Sequence, residues 1–554
     1  MGKTNNKTKS AKKIFNRIIN VTSDEWPRIY LSWSIQFLFK VAYIVAWISL
    51  IAIFVTKFGI VYLPYFFIIY AFSRMIGAYF YSNILKRCRK DKLIIFTSLI
   101  GAVLFLLALF LNSINEGLFI FLSISVFAVF LSQIYILNSA FIEDLFTPLE
   151  SERTFPVIES SETIGGIVGA LIMAFLVPII PTTNLISISV VCLALIAPIV
   201  LFHRTILKKV PFIKFDKSKE TNETHLTTIK GFTSYFKSLP FLKVLLIVVI
   251  AQWLFTNLLE FQFTKAVYDN IAENIHNPAE ELTHGLSSIH IFIYSFALIM
   301  QVLAASRIIS TLGIIGSLLL HPLVTLLSLG TMLFKFGFPA AILTKLNFEM
   351  TSIIHKSAYH SSYYAIEPDT REQIREVLEG FSQPVGTIIG MSLLILLQYL
   401  FQGTLLNFAI TISMITVMLA MLVILLKNEN KYSQLSVKNL LHSKNSILQL
   451  NAVEVLGQKG HKNAAQILTK TLQENNLDEK VKIKILETLG HMKKHKSILE
   501  ILDYIDDDSM KIRLAALKAL YKFNVIHKKK STRPFSLFRI NNVLKRQFEK
   551  EENN

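Results

Sequence analysis

The chain has 554 residues, of which 52% are hydrophobic and 17% charged, and its mean hydropathy is +0.49. This composition excludes an ordinary soluble protein and predicts a multi-pass membrane protein whose first partner is the lipid bilayer. The formal net charge of +19 must then lie in loops and tails. Neither Cys88 nor Cys192 has a CxxC partner or a metal-ligand spacing, so we expect no disulfide framework.

Residues 1–28 are basic and precede an apolar run that is too long for a signal-peptide core, which predicts a retained cytoplasmic segment. A polar, basic linker at 204–240 separates a predicted N-terminal six-helix bundle, 29–203, from a C-terminal one, 241–426. Two such bundles form an all-α membrane fold typical of the major facilitator superfamily. The twelve predicted membrane helices lie at about 29–55, 63–84, 93–111, 118–138, 158–180, 185–203, 241–264, 287–305, 312–335, 338–356, 383–401 and 404–426.

The distribution of lysine and arginine predicts the orientation in the membrane. Basic residues are concentrated in the N-terminal segment, in KRCRKDK (86–92), in the linker and in the C-terminal tail. Cytoplasmic segments carry such an excess, so both termini are predicted to be cytoplasmic.

Lys40 lies inside the first predicted helix, where a charge costs about 3 kcal/mol on insertion scales and therefore faces a protein interior or an aqueous cavity. Trp33, Gln36, Tyr43 and Trp47 follow the same helix face in steps of three and four. One interpretation is a site in which Lys40 binds an anion and the aromatic rings stack on a flat group. In the alternative, the rings pack between helices and Lys40 pairs with a carboxylate elsewhere.

Two glutamates, Glu159 and Glu162, share a face of the fifth predicted helix, just before the glycine-rich run GGIVG (165–169). The glycines predict close approach of another helix. The glutamates could accept protons, pair with Lys40 or pair with cations of the inner loops. The general preference for acids near a helix N-terminus is an alternative explanation.

Polar residues also interrupt the seventh and tenth predicted helices. Gln252, Thr256 and Glu260 recur every four residues, and Glu260 is either a site residue or an interfacial carboxylate. Lys345 and Glu349 are four apart, which predicts a local ion pair. Two charges at membrane depth indicate that this helix lines a cavity.

The region 433–527 contains a repeat that aligns on Leu456, Leu489 and Leu520, about 31–33 residues apart. Pairs of amphipathic helices at this period predict a small HEAT-type α-solenoid, which presents surfaces to a cytoplasmic protein partner. A basic tail, 528–554, follows.

Common catalytic motifs are absent from the sequence. It contains no GxxxxGK[ST], HExxH or GxSxG, and the five-residue separation of His355 and His360 does not suit a zinc site. We therefore expect no enzyme activity, cofactor, metal ion or nucleic-acid partner.

The chain contains four segments in the order LSWSIQFLFK, RTFPVIESSETIGGIVGALI, LEFQFTKAV and YYAIEPDTREQIREVLEGFSQPVGTIIG. Together these segments resemble the nucleotide (ATP/ADP) translocase family of bacteria and plastids. The resemblance covers about 25–426, and some bacterial members carry cytoplasmic HEAT repeats. It implies a facilitator-like fold, nucleotide exchange (ATP:ADP antiport in the best-known members) and a bacterial inner membrane. The residues that match its motifs by position are Arg153, Pro156, Glu260, Gln262, Lys265, Arg371 and Gly380.

The chain departs from this family in its first helix, where AWISLIAIFVTKFG lacks the expected basic and acidic element. A triphosphate carries about four negative charges and requires several Arg or Lys contacts. Two hypotheses follow: a secondary transporter of a nucleotide or other small anionic solute, or a membrane scaffold or sensor that has lost transport and recruits a partner through its HEAT repeats. Lys40, Lys345 and Glu349 favour transport, because a scaffold has no use for charges at this depth.

Overall fold

The computed structural model describes residues 21–22, 25–84, 88–207, 240–271, 278–366, 371, 374–443, 446–457, 463–474, 477–494 and 497–527. The regular elements of these residues are all helical, which confirms the predicted all-α fold. Most of the predicted N-terminal segment, nearly all of the linker and the whole basic tail lie outside the described residues.

Six helices form the N-terminal half. The fifth of these helices begins about ten residues before its apolar part. A capping box between Thr147 and Glu150 and a proline at the first helical position stabilise this start. The six helices are α1 Trp26–Phe58, α2 Leu63–Ile84, α3 Lys90–Asn112, α4 Glu116–Glu143, α5 Pro148–Leu176 and α6 Thr182–Leu207.

Six further helices form the C-terminal half. Gly313, with φ of 72° and ψ of −178°, breaks the third of them. Residues in π-helical geometry occur in α4 (Phe127–Leu131), α8 and α11, where such turns frequently mark functional sites. The six helices are α7 Pro240–Ile271, α8 Pro278–Ala305, α9 Ser306–Phe334, α10 Phe338–Ser362, α11 Glu376–Leu400 and α12 Gly403–Lys427.

Eleven helices of the described residues are long and apolar enough to cross a membrane, which makes this a multi-pass membrane protein. The tenth predicted membrane helix, α10, is not among them, because Lys345, Glu349 and Lys356 reduce its hydropathy. Its 25 residues extend about 37 Å at 1.5 Å per residue, enough for a hydrocarbon core of about 30 Å. That α10 also crosses the membrane stays a prediction.

The fifth helix of each half packs on the first through glycine. A Cβ atom on Gly165 of α5 would lie 2.8 Å from the carbonyl oxygen of Phe37 in α1. A Cβ atom on Gly386 of α11 would lie 2.5 Å from the carbonyl oxygen of Ile250 in α7. The predicted close approach at GGIVG is therefore confirmed. The two halves share this glycine-mediated helix contact, as internal repeats do.

The contacts divide the chain into two compact units, and the twelve helices above belong mainly to the first. The second unit consists of Thr311–Gly313, Ser362–Pro368 and Glu429–Asn554. Within it, Leu456, Leu489 and Leu520 are buried in one hydrophobic core, as the repeat predicts. Its helices are α13 Lys431–His442, α14 Ser446–Gly457, α15 Ala464–Leu472, α16 Glu479–Met492, α17 Ile498–Leu502 and α18 Met510–His527.

Candidate functional site

A cavity of about 280 Å³ lies between the two halves of the first unit. Its wall comes from α1, α2, α4 and α5 of the N-terminal half and from α7, α10 and α11 of the C-terminal half. Three cations (Lys40, Arg74 and Lys356) and three carboxylates (Glu162, Glu349 and Glu379) line it. It is thus a polar chamber at the interface of two helix bundles, where transporters of this architecture bind their substrates.

Aromatic rings form one layer of this wall. Tyr43 of α1 and Tyr70 of α2 line the cavity, and both contact Phe127 behind them, at centroid distances of 5.0 and 5.7 Å. Helices α1 and α2 run in opposite directions, and Tyr43 follows Lys40 by three residues whereas Tyr70 precedes Arg74 by four. Both tyrosines therefore lie on the same side of their cations along the bundle, so an aromatic layer adjoins a cationic layer.

Lys40 lines the cavity without an ion-pair partner in the described residues. Its Nζ lies 5.0 Å from the ring centroid of Tyr43 and 5.5 Å from that of Tyr294. The carboxylates that the sequence offered as partners are engaged elsewhere, Glu162 with Lys356 and Glu159 with His360. Lys40 therefore forms no ion pair with Glu159 or Glu162 in this structure, although the charge of Glu162 attracts it.

Arg74 of α2 is a cavity residue that the sequence analysis missed. Its guanidinium carbon lies 5.1 Å from the ring centroid of Trp253 in α7, and its Nη2 donates to the side-chain oxygen of Gln383 in α11. Its buried Nε donates to no described residue. A guanidinium over an indole ring can present a planar fork of donors to a carboxylate or phosphate. The sequence contains the signal for this residue, because Arg74 is the one Lys or Arg in the second predicted helix.

Lys345 joins two carboxylates beside the cavity. Its Nζ lies 2.8 Å from Glu349 Oε1 on the same helix and 2.9 Å from Glu260 Oε2 on α7. Trp47 Nε1 of α1 donates to Glu260 Oε1 at 3.3 Å, which links the two halves. The predicted local ion pair is present, and Glu260, Lys345 and Glu349 all line a smaller adjoining cavity of about 120 Å³.

Glu162 of α5 and Lys356 of α10 form a second pair between the halves, with 2.5 Å between Nζ and Oε2. Gln36 of α1 donates to the other oxygen of Glu162, and Lys356 Nζ lies 4.6 Å from the ring centroid of Tyr135. Gln36 therefore positions a cavity residue without lining the central cavity itself.

Gln252 and Thr256 of α7 both line the cavity. Gln252 Nε2 lies 2.9 Å from Nε2 of His321, whose Nδ1 lies 2.7 Å from Thr351 Oγ1. The Thr256 hydroxyl donates to the carbonyl of Gln252 in its own helix. This wall of the cavity therefore offers neutral polar groups.

Trp33 packs between helices. Its Nε1 donates to Ser160 Oγ at 3.3 Å, its ring stacks on Phe37 at 5.2 Å, and it does not line the central cavity. The packing alternative describes Trp33, whereas Tyr43 lies in the cavity wall. Seven residues separate Trp33 from Lys40, and the cavity does not extend that far along α1.

None of the residues that match the translocase motifs lines the central cavity, and Glu260 lines the adjoining one. Gln262 Nε2 of α7 donates to the carbonyl of Asn407 in α12 at 2.9 Å, a contact between helices. Lys265 pairs with Asp269 one turn away, and Arg153 pairs with Glu25 at 2.5 Å. In the part of the chain that the structure describes, no group of three or more His, Cys, Asp or Glu side chains is placed to hold a metal ion.

Residues 25–357 match the Major Facilitator Superfamily, and residues 434–521 match HEAT repeats. The structure is similar to the crystal structure of the human organic anion transporter MFSD10 (TETRAN), with a TM-score of 0.51 and 12% sequence identity. That similarity covers 72% of this chain and 99% of the other, and at this identity it shows the fold alone. No curated protein matches the sequence.

Proposed function

The chain belongs to the major facilitator superfamily, a family of secondary transporters, and we propose that it moves a nucleotide-like or other small organic anion by alternating access. One observation carries this proposal. Lys40 and Arg74 line the same cavity, and neither is paired with a carboxylate of the described residues. Two such cations at membrane depth are costly, and an anionic ligand offsets that cost.

The charged residues of the cavity favour an anion of moderate charge. Lys356 pairs with Glu162, and Lys345 is shared by Glu260 and Glu349, so Lys40 and Arg74 are the cations of the wall that form no ion pair within the described residues. A single phosphate monoester carries about −1.5 to −2 charges, which two cations can contact, whereas a triphosphate carries more charge than this wall offers. A nucleoside monophosphate or an aromatic dicarboxylate therefore fits the wall better than a triphosphate does. The aromatic layer supports a flat ring, which Tyr43 and Tyr70 can contact.

The pairs between the halves support alternating access. Glu162–Lys356 and Trp47–Glu260 each join one helix of the N-terminal half to one of the C-terminal half. Rocking of the halves exchanges such contacts, because each bundle moves nearly as a rigid body. We place both termini in the cytoplasm and the protein in a bacterial inner membrane, from the lysine and arginine distribution and the translocase resemblance.

The HEAT unit is proposed to bind a cytoplasmic protein partner. Stacked helix pairs present extended surfaces, and HEAT repeats are built for contact with other proteins. A scaffold without transport remains the second candidate because of this unit. The deep, unpaired Lys40 and Arg74 favour transport over it, since a scaffold gains nothing from them.

A thermal-shift screen of the purified protein tests the proposal. The matched ligands are a nucleoside, its monophosphate and its triphosphate, which differ only in charge. A ligand at 100 times its dissociation constant stabilises the folded state by about 2.7 kcal/mol. We expect the monophosphate to stabilise most and the neutral nucleoside least. Equal shifts for all three, or stabilisation by none of them nor by any dicarboxylate, would contradict an anion site.

A further inference from the structure

The guanidinium of Arg74 contacts uncharged groups of the opposite half. Arg74 belongs to α2 of the N-terminal half, whereas Trp253 of α7 and Gln383 of α11 belong to the C-terminal half. Gln383 Oε1 accepts a hydrogen bond from Nη2, and the guanidinium carbon lies 5.1 Å from the ring centroid of Trp253. Arg74 is 3% exposed and Gln383 is 7% exposed, so protein groups rather than bulk water surround this contact.

Close packing of α7 and α11 builds the surface that receives Arg74. A Cβ atom on Gly386 would lie 2.5 Å from the carbonyl oxygen of Ile250 and 3.1 Å from Cβ of Trp253. Gln383 precedes Gly386 by three residues and therefore shares its helix face. The π-helical segment Glu376–Ser382 ends immediately before Gln383, and such turns frequently occur at functional sites. The helix contact thus places an amide oxygen beside an indole ring.

The groups that hold Arg74 leave its charge uncancelled. A buried arginine is usually paired with a carboxylate, yet Arg74 forms no ion pair within the described residues. Glu376 attracts it electrostatically, but the Oε1 atom of Glu376 accepts from Gln133 Nε2 at 3.1 Å. A glutamine has nearly the shape of a glutamate without its charge, so Gln383 can fix the guanidinium without neutralising it.

The contacts also determine which edge of the guanidinium meets a ligand. The Nε atom is buried and donates to no described residue, and Nη2 donates to Gln383. Nη1 forms no hydrogen bond within the part of the chain that the structure describes. Since Arg74 and Gln383 both line the central cavity, the edge at Nη1 is the one left for an anion.

We propose that Gln383 determines the anion selectivity of the central cavity, because it positions Arg74 and leaves its charge for the substrate; this inference rests on the transport function proposed above. The amide oxygen holds the guanidinium over Trp253, and Nη1 donates to a carboxylate or phosphate oxygen of the substrate. A carboxylate at position 383 would accept the same hydrogen bond more strongly and cancel the charge. The change Gln383→Glu should therefore remove the preference for an anion over its neutral analogue.

Equilibrium binding to the full-length protein tests this role with radiolabelled adenosine monophosphate and adenosine, which differ only in the phosphate. Gln383→Glu should bind the monophosphate about ten- to hundredfold more weakly than wild type does, without an equal loss for adenosine. Gln383→Met removes the acceptor but adds no charge, so it should lose less. Wild-type affinity for the monophosphate in Gln383→Glu, or equal losses in the two variants, would overturn the proposal.

Gln398→Glu is the matched control for the added charge. Gln398 lies on the same helix, about 22 Å further along it at 1.5 Å per residue, and its amide donates to the carbonyl of Val61 at 3.4 Å. Binding of both ligands by this variant should be nearly that of wild type. A loss of monophosphate binding equal to that of Gln383→Glu would show a general effect of charge and would overturn the specific role of Gln383.

A stability measurement without ligand separates this role from the transport function. Gln383→Glu should lower the unfolding temperature less in the wild-type background than in the Arg74→Met background, because only the second leaves the buried carboxylate without its cation. Equal changes in the two backgrounds would contradict the contact of residue 383 with Arg74 and so overturn the proposal. The expected difference together with no binding of the monophosphate by wild type would contradict only the transport function.

Discussion

Lys356 Nζ lies 2.5 Å from Glu162 Oε2, and this ion pair joins α10 to α5 across the cavity. The two side chains are 25% and 14% exposed, so the cavity hydrates them in part. A pair of this kind costs less to break than a fully buried one, for which removal of one partner costs about 3–5 kcal/mol. It can therefore form and separate during a transport cycle.

The first prediction concerns this pair. Glu162→Gln and Lys356→Gln should each slow exchange, because each leaves one charge unpaired in the wall. The double variant Glu162→Gln with Lys356→Gln should lose less than the sum of the two single losses, as a double-mutant cycle measures. The exposed pair Lys57–Glu116 is the control, since its removal should change little. Strictly additive losses at Glu162 and Lys356 would show that the pair has no role in transport.

The second prediction concerns Lys40. Lys40→Ala should weaken binding of the anion by about ten- to hundredfold, the loss expected for a hydrogen bond to a charged group. Expression and thermal stability should be nearly unchanged, because Lys40 forms no ion pair within the described residues, and Glu162 and Glu349 keep their own lysine partners. Lys57→Ala, at the end of the same helix, is the matched control. An unstable Lys40→Ala protein would show instead that Lys40 neutralises a glutamate.

The sequence predicted the helices well, because long apolar runs specify membrane helices almost unaided. It underestimated their lengths where polar ends continue the helix, as at α5, which begins at Pro148 although its apolar part begins near residue 158. It also identified Lys40 as a deep cation in a cavity wall. Arg74 follows from the same argument and was overlooked.

The arrangement of the site could not be read from the sequence, for a physical reason. Periodicity along one helix shows which residues share a face, but it does not show which helix that face meets. Glu260 pairs with Lys345 and Glu159 faces His360, and each contact joins residues far apart in the chain. Trp33 shares the face of Lys40 and yet packs on α5, because the cavity occupies only part of the length of α1.

The third prediction concerns helix packing. Gly386→Ala should lower thermal stability by about 1–3 kcal/mol, the usual cost of overpacking, since its Cβ would lie 2.5 Å from the backbone oxygen of Ile250. Gly330→Ala in α9 is the matched control, because no atom lies within 4 Å of the added carbon. Equal unfolding temperatures for the two variants would contradict the close contact of α7 and α11.

The fourth prediction concerns the HEAT unit. Leu489→Asp should unfold it, because a buried carboxylate without a partner costs several kcal/mol and a short stack has little stability to lose. Leu499→Asp should be tolerated, since Leu499 is 73% exposed. Limited proteolysis should cleave only the first variant within 433–527, and the membrane helices should stay inserted. Loss of membrane insertion by Leu489→Asp would show that the two units do not fold independently.

The most direct test of an anion-transport function is counterflow of radiolabelled adenosine monophosphate in proteoliposomes, with wild type, Lys40→Ala, Arg74→Lys and Lys57→Ala compared at equal protein content. Arg74→Lys keeps the charge but loses the planar fork of donors that binds a phosphate through two parallel hydrogen bonds. We predict exchange by wild type and Lys57→Ala, and strongly reduced exchange by both Arg74→Lys and Lys40→Ala at a substrate concentration near the wild-type KM. Wild-type exchange by Lys40→Ala and Arg74→Lys together would contradict the assignment of the central cavity as the anion site.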